Sequence, residues 1–233
     1  MSFKFKQFEI EDEHCAQKVG TDGVLIGAWC NVVGANSILD IGAGCGLVSL
    51  MIAQRTIDTK SHITAVELDA DASKDCRLNF ESSPWKERLK LVNADFATID
   101  GCYDLIVSNP PFFAGDMDAS GQSRMLARQG RTLTYYSLIQ FAAKHLTDEG
   151  TLSFTSDVRH EKEIIFTAEI NKLHLRRVAC VSGKAGKVPI RFLWEFSKQN
   201  VAMPERTYFS HRNEDASYHH DYINLTKDFY LNM

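Results

Sequence analysis

The sequence predicts an α/β fold, a doubly wound and mostly parallel sheet with helices on both faces. Three observations carry this reading. From Ser37 onward, short apolar runs alternate with stretches of helix length, the pattern of successive strand–helix units. A glycine-rich turn at residues 42–46 follows the first of these runs, where a strand must hand over tightly to a helix. The last two β-rich runs, residues 178–181 and 190–196, are separated only by residues 183–189. That connection is too short for a crossover helix, so the two runs pair antiparallel at the sheet edge.

The elements follow in order. Phe3, Phe5, Phe8 and Ile10 punctuate a polar N-terminus with strand periodicity. Thr21 or Asp22 caps a helix that continues through the apolar residues 24–29. Residues 37–41, 62–68, 89–92, 103–107 and 150–155 read as five strands. Residues 47–54, 70–80, 135–145 and 160–172 read as helices. No internal repeat or low-complexity tract interrupts the chain. The expected organisation is one domain, with an N-terminal extension (1–34), a core (35–200) and a tail (201–233) that packs on the core.

Composition bounds the function. The 233 residues are 44% hydrophobic and 24% charged, enough apolar material for a core without disulfides. The six cysteines form no C-x-x-C pair, and the charged N-terminus lacks the apolar centre of a signal peptide. Reduced thiols in a cytoplasmic protein are expected, with no membrane association, no metal and no obligate protein partner. The net charge of −4 argues against general nucleic-acid binding, but it hides two basic stretches. Residues 170–194 contain no Asp or Glu and carry Lys172, Arg176, Arg177, Lys184, Lys187 and Arg191; Arg124, Arg128 and Arg131 form the second set. A lone charge run is usually a solvated face, so these residues are RNA-contact candidates only if the site chemistry asks for RNA.

Three carboxylates follow three successive strands. Asp40 leads the turn Gly42-Ala43-Gly44-Cys45-Gly46, whose G-x-G-x-G spacing differs from the G-x-G-x-x-G of dinucleotide binders. An anionic Asp there suits a cationic amino group better than a pyrophosphate. Glu67, followed by Leu68, ends the second strand, where a carboxylate can accept both hydroxyls of a ribose. Asp95 ends the third, placed to accept from an adenine amino group with Phe96 against the ring. Any one of these acids could simply cap a helix. Together they describe a nucleoside site with a cationic amino acid at one end.

Asn109-Pro110-Pro111-Phe112 follows the fourth strand, at the end of the sheet where ligands gather. An amino nitrogen on an aromatic ring or carboxamide is a poor nucleophile because its lone pair is delocalised. Two acceptors aimed at its two N–H bonds favour the geometry in which the lone pair localises, and they stabilise the positive charge that develops. The Asn109 side-chain oxygen and the Pro110 carbonyl are such acceptors. Pro110 and Pro111 restrict the backbone that holds them, and Phe112 can stack on a flat target.

Asp40 to Gly46 together with Asn109 to Phe112 resembles the class I amino-methyltransferases of the N-P-P-[YF] type. More narrowly, Lys18-Val19-Gly20-Thr21-Asp22-Gly23-Val24-Leu25-Ile26-Gly27-Ala28-Trp29 is similar to the N-terminal signature of the bacterial tRNA1(Val) adenine-37 N6-methyltransferase family. Ser217-Tyr218 and Leu225 to Leu231 are similar to that family's C-terminal stretch. Cys45 and Phe112 are departures, standing where Ser and Tyr are commoner. The resemblance implies a Rossmann-like methyltransferase fold with a seven-stranded sheet and one antiparallel edge strand. It implies S-adenosylmethionine as methyl donor, with Gly20 and Thr21 closing over its methionine end, and a tRNA substrate methylated on N6 of the adenosine beside the anticodon. The chemistry of Asn109 and Pro110 would equally serve a ribosomal-RNA or protein-glutamine amino group, and the fold also serves non-catalytic RNA-binding subunits. The basic stretches favour RNA, and the intact set Asp40, Glu67, Asp95 and Asn109 favours a catalyst.

Overall fold

A computed structural model describes residues 2–111 and 133–233. Phe112, Arg124, Arg128 and Arg131 lie outside these residues. The central sheet is built from β3 (Ser37–Ile41), β4 (His62–Glu67), β5 (Leu89–Asn93), β6 (Tyr103–Ser108), β7 (Leu146–Asp157), β8 (His174–Ser182), β9 (Arg191–Ser197) and β10 (Glu205–Ser210). Their spatial order is β10-β8-β9-β7-β6-β3-β4-β5. Among the pairings, only those of β9 with β7 and β8 are antiparallel.

The α/β class and the mostly parallel sheet are as expected, and the short 183–190 connection does force a reversed strand. Two details differ. β9 inserts between β7 and β8, so the reversed strand lies inside the antiparallel half of the sheet. Residues 205–210, expected only as tail, add β10 as an eighth strand where seven were expected. The sequence of β10 hides it, because Glu205, Arg206, Thr207 and Tyr208 are all exposed and no buried alternation marks the run. It forms because β8 presents a row of backbone groups that need partners, and Glu205 to Ser210 supply them against Arg177 to Ser182.

The helices are α1 (Thr21–Trp29), α2 (Leu47–Arg55), α3 (Ala70–Ser82), α4 (Tyr135–His145), α5 (Glu161–Ile170) and α6 (His220–Thr226). Neither Thr21 nor Asp22 caps α1. Its N-cap is Gly20 in an extended conformation, without a side-chain bond, and the Asp22 carboxylate pairs with Arg191 instead. Two apolar cores fill the faces of the sheet. One joins the inner sides of α1, α2 and α3; the other joins α4 and α5 around Trp194, Phe154 and Phe196. β3 is buried on both faces, which is why Ile38, Leu39 and Ile41 show no polar alternation and Asp40 stands out among them.

The N-terminal residues form a small hairpin, β1 (Ser2–Lys4) with β2 (Glu9–Glu11), rather than one strand. It packs against the C-terminus. Phe5 lies 5.6 Å from the Tyr230 ring, and Lys6 Nζ donates to the carbonyl of Lys227 at 2.6 Å. The six cysteines are free thiols, with Cys102 exposed and the others buried. No helix among the described residues is long and apolar enough to cross a membrane.

Candidate active site

The chain runs outward from β3 to β4 and β5, then returns to β6 on the other side of β3. That reversal opens a crevice at the carboxyl ends of β3 and β6. A cavity of about 240 Å³ occupies it, walled by Gly42, Gly44, Glu67, Asp95, Phe96 and Asn109 among others. A smaller one of about 50 Å³ adjoins it through Gln17, Gly42, Gly44 and Asn109, and reaches Gly20 and Asp40. The structure therefore gathers the residues expected at a nucleoside site, which come from four separate strand ends.

The glycine loop shapes the floor. Gly44 has a φ of +55°, and a Cβ there would meet nothing within 4 Å, so its missing side chain leaves room for a ligand. Gly46 has a φ of +85°, and a Cβ would stand 2.6 Å from Phe80, so here the absent side chain lets α3 approach. Glu67 braces the loop. Its two carboxylate oxygens accept from Gly44 N and Asp69 N, both at 2.8 Å. Each oxygen keeps a further lone pair for a hydroxyl.

Asp40 is 1% exposed. Its Oδ2 accepts from the Ser49 hydroxyl at 2.7 Å, while Oδ1 is buried without a partner. Burial pushes its carboxyl up to about 7, against the lowering effect of the Ser49 bonds and with a small contribution from Glu67. A buried acceptor with no donor is costly. A cationic amino group in the adjoining cavity would supply the donor and favour the ionised form. This matches the methionine end of S-adenosylmethionine.

The remaining predicted residues are distributed as follows. Asp95 Oδ1 accepts from Ala97 N at 2.9 Å, so the acid caps a short turn while its residue lines the cavity. Phe96 is buried and packs edge-on against Phe141 at 5.5 Å, with its residue still in the cavity wall. Leu68 is exposed and lines the same wall, as does Pro111; Pro110 is buried and lines neither cavity. Gly20 lines the smaller cavity, and Thr21 starts α1 beside it. Asn109 lines both cavities, and its Oδ1 accepts from the Thr155 hydroxyl at 2.7 Å.

The basic candidates separate. Lys184 and Lys187 are exposed in the β8–β9 connection, at the same end of the sheet as the cavity. Arg191 is paired with Asp22 at 3.2 Å and Asp157 at 3.3 Å. Arg176 and Arg177 lie at the other end of α1, about 12 Å along its axis at 1.5 Å per residue. There Arg177 pairs with the buried Glu195 at 2.8 Å and stacks 3.9 Å over the Trp29 ring.

Several residues of the site carry no sequence motif. Cys15 and Gln17 reach the larger cavity because α3 holds the N-terminal segment there. Asp75 Oδ2 accepts from the backbone N–H of His14 and Cys15, and Asn79 bonds both Glu11 and the Cys45 carbonyl. Asp75 and Asn79 are one helical turn apart, a spacing the sequence does show, but the N-terminal segment they hold lies 60 to 68 residues away. Ser49 and Thr155 likewise carry no motif: the β3–α2 hand-over brings Ser49 to Asp40, and the pairing of β6 with β7 brings Thr155 to Asn109.

Comparison with known proteins shows which family the chain resembles and which fold it shares. A family model described as the methyltransferase small domain matches residues 24–177. A tRNA1(Val) (adenine(37)-N6)-methyltransferase of Tolumonas auensis is 40% identical over 233 residues, covering 100% of this chain and 98% of that protein. A protein of the same name from Trichodesmium erythraeum is 42% identical, covering 98% and 97%. Among solved structures, a predicted O-methyltransferase from Agrobacterium tumefaciens superposes with a TM-score of 0.67 at 17% identity, covering 89% of this chain and 96% of that one. A precorrin-6y C5,15-methyltransferase from Geobacter metallireducens gives 0.55 at 15% identity, covering 82% and 93%. These two likenesses concern the fold.

Proposed function

Because the chain belongs to the tRNA1(Val) (adenine(37)-N6)-methyltransferase family, we propose that it methylates N6 of an adenosine in tRNA, at position 37 beside the anticodon. The observation that carries this is the position of Asn109, whose residue borders both the nucleoside cavity and the smaller cavity beside Asp40. A target nitrogen held at Asn109 would therefore sit where a methyl donor spanning the two cavities presents its reactive group.

Bound S-adenosylmethionine supplies an electrophilic methyl on a sulfonium. Asp40 would hold the cationic amino group, Glu67 the ribose hydroxyls, and Asp95 with Phe96 the adenine. The Asn109 oxygen and the Pro110 carbonyl accept the two N–H bonds of the target amino group, localising its lone pair toward the methyl. As the nitrogen bonds the methyl and the methyl–sulfur bond breaks, leaving a neutral thioether, the nitrogen would become transiently cationic and both acceptors would stabilise that charge. One proton then leaves to solvent, so a general base is not required. An adenosine stacked in a tRNA loop must first be everted to reach the crevice. Lys184 and Lys187 would meet RNA phosphates on the same side of the molecule.

The test is methyl transfer from labelled cofactor to RNA of a strain lacking the gene, followed by nucleoside analysis and mapping. N6-methyladenosine at position 37 of the valine tRNA is the expected product; N2-methylguanosine, or label in protein, would overturn the assignment. Asn109→Ala should lower kcat by on the order of 100-fold or more while cofactor binding persists, the scale of losing one preorganised transition-state hydrogen bond. Lost cofactor affinity with retained kcat would make Asn109 a cofactor residue instead.

A further inference from the structure

Asn109 can act only if its oxygen, not its nitrogen, faces the target amino group. The prolines that follow restrain its backbone and leave its amide free. A terminal amide turns about a soft torsion, and its two ends differ only in that one accepts and the other donates.

Thr155 restrains that freedom. The parallel pairing of β6 and β7 sets Ser108 beside Phe154, so the next residues along, Asn109 and Thr155, are neighbours. Thr155 is fully buried, and its hydroxyl donates to Asn109 Oδ1 at 2.7 Å. In that bond the hydroxyl donates, which engages the oxygen end and points it; the reverse arrangement, with the amide nitrogen donating to the hydroxyl, is the alternative that the variants below test. An amide oxygen has two lone pairs, so one stays available for an incoming N–H. On the nitrogen side stands Gly23 of α1. A Cβ there would lie 3.6 Å from Asn109 Nδ2 and 3.1 Å from Leu47 Cδ2, so the bare glycine backbone forms a close wall.

The two walls are tied to each other. Arg191 Nε bonds Asp22, the residue before Gly23, and its guanidinium also reaches Asp157, two residues beyond Thr155. One side chain thus spans the start of α1 and the end of β7.

We propose that Thr155 is a positioning residue for methyl transfer, orienting the Asn109 amide, and that Arg191 is the clamp holding α1 and β7 in register around it. The proposal rests on the amino-methyltransferase reading of this site. It gives Asp22, Gly23 and Arg191 a role in the geometry of the reaction rather than in contacts to cofactor or RNA.

Thr155→Val removes the hydroxyl and keeps the shape. On whichever RNA the wild type labels, kcat should fall on the order of 10- to 100-fold, the effect of a small misplacement of a reacting group. KM for S-adenosylmethionine should be unchanged, and Thr155→Ser should recover most of the loss. Arg191→Met should lower kcat in the same way and add little on top of Thr155→Val, because both act through one amide. It also decides the question if Thr155→Val does not fold. The Asn109 side-chain NH2 resonances, assigned by their loss in Asn109→Ala, give a readout that needs no RNA. They should shift or broaden in Thr155→Val and in Arg191→Met. Unchanged kcat, unmoved resonances, or failure of Thr155→Ser to recover activity would each overturn the proposal. If the wild type labels no RNA, the tRNA reading fails, while the amide resonances still decide the role of Thr155.

Discussion

Asp40 shows how one atom's surroundings set chemistry. Its Oδ2 is satisfied by Ser49, and its Oδ1 is buried with no donor. The folded chain holds the Asp40 proton up to about pH 7, whereas an unfolded chain releases it near 3.8. Between those values the folded state binds more protons, so this group favours folding at the acid end and loses that contribution as pH rises through 7. Binding a cationic amino group has the opposite preference, because it needs the carboxylate. Affinity for S-adenosylmethionine should therefore weaken below about pH 7, approaching tenfold per pH unit, with one proton released on binding at pH 6. Calorimetric titration at pH 6 and pH 8 in buffers of different ionisation enthalpy reads both quantities. Asp40→Asn should abolish the proton release. A pH-independent affinity in the wild type would remove Asp40 from the amino-group role.

At the level of elements, α1 is the part whose meaning changed most. Its sequence reads as an apolar helix with a polar start, and both statements hold. What it connects is not written in it. Its first turn meets β7 and β9 through Arg191, and its last residue, Trp29, takes the Arg177 guanidinium on its face. Arg177 also neutralises Glu195, which is 3% exposed. Arg176 stands farther off at 3.8 Å, so removing Arg177 leaves this buried charge only a long contact. Arg177→Met should cost on the order of 3 kcal/mol of stability, measurable as a clear drop in melting temperature. RNA affinity of the folded variant and its dependence on salt should not change. A flattened salt dependence with unaltered melting would place Arg177 on the RNA path after all.

For the whole molecule, the net charge of −4 conceals an uneven surface. Lys184 and Lys187 stand at the carboxyl end of the parallel strands, on the side of the cavity. Phosphate contacts release counterions, each contributing roughly 0.7–0.9 to the slope of log K against log salt. Lys184→Glu with Lys187→Glu should weaken tRNA binding and reduce that slope by about 2, leaving affinity for S-adenosylmethionine intact. An unchanged slope, measured by binding across 50–200 mM salt (roughly the range where the effect is large), would move the RNA surface elsewhere.

The strand–helix alternation, the glycine loop, the carboxylates at strand ends and the Asn-Pro-Pro segment were legible in the chain because each is local. Backbone conformation, helix capping and the hand-over from strand to helix depend on residues a few positions apart, and the parallel α/β class follows from their repetition. β10 escaped notice because an edge strand needs only backbone partners and leaves no apolar period. Thr155, Ser49 and Asp75 escaped for a different reason, and Arg191 was legible only as part of a basic run. Their importance lies in hydrogen bonds and ion pairs to residues between nine and 169 positions away. Strand order and register decide the pairs of Thr155 and Arg191, and the packing of helices against the sheet and the N-terminal segment decides those of Ser49 and Asp75. The chain by itself named the chemical groups at the site; only the tertiary structure decided which of their atoms are engaged, and by what.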